Sequence, residues 1–250
     1  MEDSTKQAVE RALAWTGPLF IISMIYTWGV LGHNIPPPNM MAMSSDQLIS
    51  EYYGRYPEVG AGMIASATFA LFYTTWSCLL ASLMRDQDGK IGVFSFIELA
   101  GGILTGWLFA FCGAMWAACS VLVGQVGADV IKMVHTFTWF IFDCTYMITT
   151  MQMVALGLYT ILNRKQTMFP SWAGWCTAAI GVGFVPLVFV PFVTEGPFAV
   201  NGNWNFWIIF TTWIFAFFGV YNYFVLRHVY KSTEDQAKAS GVKSLAAHTA

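Results

Sequence analysis

Residues Gly92 to Met115 read GVFSFIELAGGILTGWLFAFCGAM. A single ionisable residue, Glu98, interrupts this apolar run. The run exceeds the roughly 18–20 residues a helix needs to cross a hydrocarbon core of about 30 Å. Glu98, Gly102 and Gly106 fall at four-residue steps. The carboxyl therefore shares a helix face with a small-xxx-small pattern, a face that packs on another helix rather than on lipid. The segment predicts a membrane span with its one acid turned inward, about seven residues or roughly 10 Å from the start.

Working outward, five more runs meet the same length criterion. They extend from about Trp15 to Gly32, from Gly62 to Met84, through a fourth run ending at Leu162, from Trp172 to Phe192, and from Trp204 to Leu226. None alternates polar and apolar residues as a lipid-facing barrel strand would. Backbone groups in lipid must bond within their own segment, so helices are the expected form. Composition agrees: 56% of the 250 residues are hydrophobic and 10% charged, too few charges to cover a water-soluble globule. Mean hydropathy is +0.56. The net charge of −2 comes with no basic stripe, which argues against nucleic acid as a partner. The expected fold class is all-α: a transmembrane bundle of six helices with a short amphipathic surface helix after the first span.

Lysine and arginine set the orientation. With the amino terminus inside, the inner segments carry Lys6, Arg11, Arg85, Lys90, Arg164, Lys165, Arg227, Lys231, Lys238 and Lys243; the outer loops carry only Arg55 and Lys132. This positive-inside bias holds loop by loop and supports an even number of spans, with both termini cytoplasmic in the inner (plasma) membrane. The expected organisation is a six-helix domain over residues 1–230 and a polar cytoplasmic tail over 231–250. The first run lacks a small-x-small cleavage site after it, so it reads as a retained span rather than a signal peptide.

Outside the spans, Pro36-Pro37-Pro38 stops the first helix. Ser44 and Gln47 then fit a capping box, and Leu48, Ile49, Tyr52 and Tyr53 recur at helical spacing up to Pro57. This segment caps the bundle or forms a lid over a site. The fourth helix begins as early as Asp129, which makes it about 51 Å long at 1.5 Å per residue. Its first turns then stand outside the membrane, with His135 above the outer boundary and Asp143 near it.

Ionisable groups within spans are the default candidates for chemistry. Glu98, Asp143 and His135 are accordingly the candidate catalytic residues, set against a purely structural role for each. His135, Trp139 and Asp143 share one face of their helix. Depth places Glu98 and Asp143 on the order of 15 Å apart across a core of about 30 Å, too far for a shared site. Trp107, Trp139 and Tyr146 are the candidates for lining a pocket for a flat apolar ligand. His33 and His135 lack metal-ligand spacing, so no metal site is expected, and no motif points to a cofactor. The five cysteines lie in or beside apolar runs without a CxxC pair and read as small buried residues.

Three outer and inner segments carry a resemblance: Pro36-Pro37-Pro38 followed by Met43 to Ile49 with Tyr52-Tyr53, then Phe169 to Trp175, then Glu195 to Gly202. Together they resemble a group of bacterial six-span integral membrane proteins with no assigned activity. The resemblance runs from Trp15 to Val229. It implies a shared six-span fold and nothing about substrate.

The leading functional expectation is a membrane protein that binds an apolar small molecule or lipid in an outward-opening cavity, or serves as an accessory subunit beside partner membrane proteins. A membrane-embedded enzyme using a carboxylate acid or base on a lipophilic substrate is the alternative. A secondary transporter comes third, because the chain shows no internal repeat and no matched pair of broken helices.

Overall fold

The computed structural model of the protein describes residues 3–165 and 167–231. Residues 232–250 of the expected tail, with Lys238 and Lys243, lie outside the described residues. Helix α1 (Thr5–Leu31) leads through the proline run to the surface helix α2, residues 45–53. Then follow α3 (Val59–Leu83), α4 (Val93–Leu122), α5 (Ala128–Leu162), α6 (Ser171–Phe192) and α7 (Asn203–Lys231). The described residues contain no strand, only the isolated bridges Arg85–Ile91 and Val123–Val126. All except α2 are long and apolar enough to cross a membrane.

Within the most apolar window of each long helix, 39% to 44% of residues are buried, and the rest are half-buried or exposed. Leu71, Phe96, Met133, Phe192 and Phe215 lie on the outer surface. An apolar exterior of this kind is stable against lipid and not against water. Cys78 and Cys176 are also on the exterior and Cys144 is half-buried; only Cys112 and Cys119 are the buried residues that their apolar settings suggested.

Several helices outrun their expected limits, among them α7, which continues past Leu226 to Lys231. α1 begins ten residues before Trp15, and α4 continues past Met115 to Leu122. Hydropathy marks where lipid lies, whereas the backbone ladder continues wherever propensity allows. The added turns of α1 carry Lys6 and Glu10, an i,i+4 pair at 3.9 Å.

The long helices are not uniform. A turn at Ala70 divides α3, and one at Thr145–Tyr146 divides α5 into Ala128–Cys144 and Met147–Leu162. The last turns of α1 (Met24–Leu31) and two stretches of α7 (Asn203–Phe210, Trp213–Gly219) widen to π geometry. The end of α6 (Val185–Phe192) tightens to 3-10 helix around Pro186 and Pro191, which supply no N–H to an α-helical ladder.

Glycines bring the helices close. A Cβ on Gly102 would lie 2.1 Å from Ser77 Oγ of α3, one on Gly106 2.2 Å from Thr74 Oγ1, and one on Gly101 2.7 Å from Gln152 Cβ of α5. The face that carries Glu98 is thus pressed between α3 and α5. The centre of the bundle is aromatic: Trp76 and Phe218 meet at 4.4 Å between centroids, and Tyr73 stacks on Trp213 at 6.0 Å.

The capping box of α2 forms as the sequence implied: Gln47 N donates to Ser44 Oγ at 3.1 Å, and Ser44 N to Gln47 Oε1 at 2.8 Å. Leu48, Tyr52 and Tyr53 are buried beneath it. Nearby, the His33 ring stacks on Tyr56 at 3.6 Å and meets Glu58 Oε1 at 2.6 Å. That contact holds the Glu58 carboxyl below the usual carboxylate range. A lowered folded-state pKa contributes stability above the unfolded value and loses it as pH falls through the folded one. Glu58→Gln should therefore remove part of the acid-side fall in Tm below about pH 4. An unchanged melting profile between neutral and acid pH would count against the pair. The effect should be small, because Glu58 is exposed.

Candidate functional site

Three polar clusters lie inside the bundle. One is built around His135 on α5, at the end of the bundle that α2 covers, and its side chain is fully buried. The reason is α2, which folds over this end and supplies Tyr53. Trp139 Nε1 donates to His135 Nε2 at 3.1 Å. An indole can only donate, so Nε2 must accept and the ring proton sits on Nδ1. Nδ1 then donates to Tyr53 OH at 2.7 Å. Tyr52 OH donates to Gly32 O at 2.6 Å and seats α2 on the end of α1. Both nitrogens of His135 are engaged, which leaves it no lone pair for a substrate or a metal. Among the described residues no group of His, Cys, Asp or Glu could hold a metal ion.

The cluster farthest from α2 surrounds Glu98, fully buried on α4. Gln152 of α5 donates from Nε2 to Glu98 Oε1 at 2.9 Å and to Ser77 Oγ at 3.0 Å. Tyr73 of α3 donates to Gln152 Oε1 at 2.6 Å. One carboxamide thus ties three helices together. Glu98 Oε2 has no partner among the described residues.

Between them lies Asp143, 1% exposed, on the last turn before the break in α5. It borders a cavity of about 30 Å³ together with Tyr146, Thr105 and Thr149, under a lid of Phe142, Phe210 and Trp213. By volume this holds one or two water-sized groups. Thr105 and Thr149 share a hydrogen bond at 3.1 Å. The Asn205 carboxamide of α7 lies beside the Asp143 carboxyl, yet Asp143 Oδ2 and Asn205 Oδ1 both lack a donor.

The structure does not bring Glu98 and Asp143 into one site. Gln152, the partner of Glu98, follows Asp143 by nine residues, or about 13 Å of helix rise. Of the pocket candidates, Tyr146 lines the Asp143 cavity and Trp139 packs in the aromatic cluster against Trp116 at 4.7 Å. Trp107 is a correction: it is 58% exposed and stacks on Phe111 at 5.1 Å on the exterior. A helical face carries no mark of which side meets lipid when both sides are apolar.

The surface beside α2 has a hollow of about 690 Å³ over His33, Pro36, Glu51, Arg55 and Tyr56, but neither His135 nor Asp143 lines it. The apolar hollow is elsewhere. A groove of about 230 Å³ runs between α1 and α7, walled by Met24, Trp28, Phe206, Trp207, Phe210 and Ile214. It opens sideways, where the lipid tails would be. Trp28 stacks on Phe210 at 5.7 Å at its inner wall. Sequence reasoning missed Asn205, Phe210 and the bridging role of Gln152. Amides within apolar runs were the available signal for Asn205 and Gln152; Phe210 offered none.

Six apolar helices, polar side chains turned inward and an apolar exterior make this chain a multi-pass helical membrane protein. Compared with known proteins it has no match among protein-family models, curated proteins or solved structures.

Proposed function

We propose that the protein binds an apolar small molecule or the tail of a lipid in the lateral groove between α1 and α7. The supporting observation is the groove itself: about 230 Å³ of space with an almost wholly apolar wall that includes Trp28, Phe206 and Phe210. Buried ligand sites are concave, mostly apolar and aromatic-lined, and this one lies where α1 and α7 both widen to π geometry. The central cavity is too small for such a ligand, and the hollow beside α2 is edged by Glu51, Arg55 and His33. A groove-filling change, Thr211→Phe, tests the reading. Native mass spectrometry of the detergent-purified chain should show a retained apolar mass that the variant loses. The same retention by both proteins, or none by either, would remove the groove as the site.

The inner membrane with both termini cytoplasmic is the orientation we infer from the distribution of ten inner against two outer basic residues. Reporter fusions after Leu31 and Met84 should lie on opposite sides. Reporters on one side would overturn the orientation.

A further inference from the structure

Phe210 lines two spaces at once. It is on the wall of the apolar groove and also on the wall of the cavity that holds Asp143. The lipid-facing groove and the buried carboxyl are therefore one aromatic ring apart. The ring is held by stacking, on Trp28 at 5.7 Å and on Phe142 at 5.9 Å, and not by any hydrogen bond.

The chemistry of the inner space is specific. Asp143 is the one acid on its wall, contributed by α5; α4 adds Thr105, α6 adds only Phe184 and Leu187, and α7 adds Phe210 and Trp213. No lysine or arginine pairs with Asp143 among the described residues. Among the polar atoms left without partners at or beside this cavity, Asp143 Oδ2 and Asn205 Oδ1 are acceptors and Trp213 Nε1 is a donor. Acceptors outnumber donors there, and a cationic donor would also offset a buried carboxylate. The hydroxyls of Thr105, Thr149 and Tyr146 can turn a lone pair to a second and third N–H. At about 30 Å³ the space suits a compact group the size of water, such as a primary ammonium, better than a bulky head group.

We propose that the Asp143 cavity is the head-group subsite of the groove and takes the primary ammonium of a single-chain amphiphile, whose alkyl chain lies between α1 and α7. The inference rests on the groove being a binding site. Entry requires the Phe210 ring to rotate away from Phe142, after which ammonium N–H groups donate to Asp143 Oδ2 and to a neighbouring hydroxyl.

The test uses the full chain purified in an uncharged maltoside detergent at neutral pH, with thermal melting followed against added dodecylamine, dodecanol and dodecyltrimethylammonium. Dodecylamine should raise Tm at a concentration about tenfold lower than either of the others, and Asp143→Asn should bring it to within about threefold of dodecanol. Equal potency of the three probes on the unaltered chain would overturn the proposal and leave the groove reading intact. No response to any of them would bring down the groove reading and this proposal together. A rise in Tm with sodium chloride alone, abolished by Asp143→Asn and without preference for the amine, would also overturn it in favour of an inorganic cation. Should Asp143→Asn fail to fold, the three-probe comparison on the unaltered chain decides the matter by itself.

Discussion

Gly157→Leu should lower the melting temperature of the detergent-purified protein by roughly 10 °C or prevent its accumulation in the membrane. Gly157 of α5 and Gly174 of α6 face each other. A Cβ on Gly157 would lie 2.7 Å from Gly174 O, and one on Gly174 2.8 Å from Gly157 O. The obstacle on each side is backbone, so no side-chain rotation can relieve it and the two helices must move apart. Overpacking in a core costs about 1–3 kcal/mol and occasionally more, and a rigid backbone obstacle belongs at the upper end. A loss of about 3 kcal/mol shifts Tm by about 6–12 °C in a chain of this size. Gly127→Ala is the control, because that position has ordinary φ and open space around it. A Gly157→Leu protein that melts within about 2 °C of the unaltered one, less than 1 kcal/mol on that scale, would show that the α5–α6 contact is looser than described.

The second large effect is at Gln152. Gln152→Leu removes three hydrogen bonds at once and leaves Glu98, Ser77 and Tyr73 buried without the partner they share. Leaving a buried polar group unsatisfied costs about 1–3 kcal/mol, more if it is charged. Within membranes single interhelical bonds average nearer 0.6 kcal/mol, because the unfolded helices also find partners there. Three groups stranded together should therefore cost on the order of 3 kcal/mol, again a fall in Tm of roughly 10 °C. The more telling variant is the double change Glu98→Met with Gln152→Leu. Removing both sides of a buried polar contact is often close to neutral, so the pair should recover a large part of the loss. That recovery marks Glu98 as an interhelical tie. A double variant no more stable than Gln152→Leu would argue that Glu98 does something besides hold α3, α4 and α5 together.

The candidate site was legible in part, and the residues show why. Glu98 and Asp143 stand out in the sequence because a carboxyl in an apolar run is costly enough to need a reason. Their partners do not stand out. Tyr73 and Ser77 are unremarkable in a helix of mixed small and aromatic residues, and they matter only because Gly101 and Gly102 let Gln152 approach α3 and α4. His135 was recognisable as a polar residue on an inward face, but its burial depends on Tyr53, 82 positions away, reaching it from α2. The link between the Asp143 cavity and the lateral groove depends on one ring, Phe210, among many phenylalanines.

By itself the sequence determined that the chain is an all-helical membrane protein with six spans, where the capped surface helix begins, and which spans carry acids. Those properties follow from local free energies: the cost of exposing backbone and charge to hydrocarbon is paid residue by residue and can be read residue by residue. Tertiary structure alone decided which face of each helix meets lipid, which polar groups pair, and where space remains. In a span that is apolar all round, no periodic signal separates the packed face from the lipid face, because lipid tails and leucine side chains are equally apolar. That choice falls to glycine contacts and to hydrogen bonds between helices far apart in sequence.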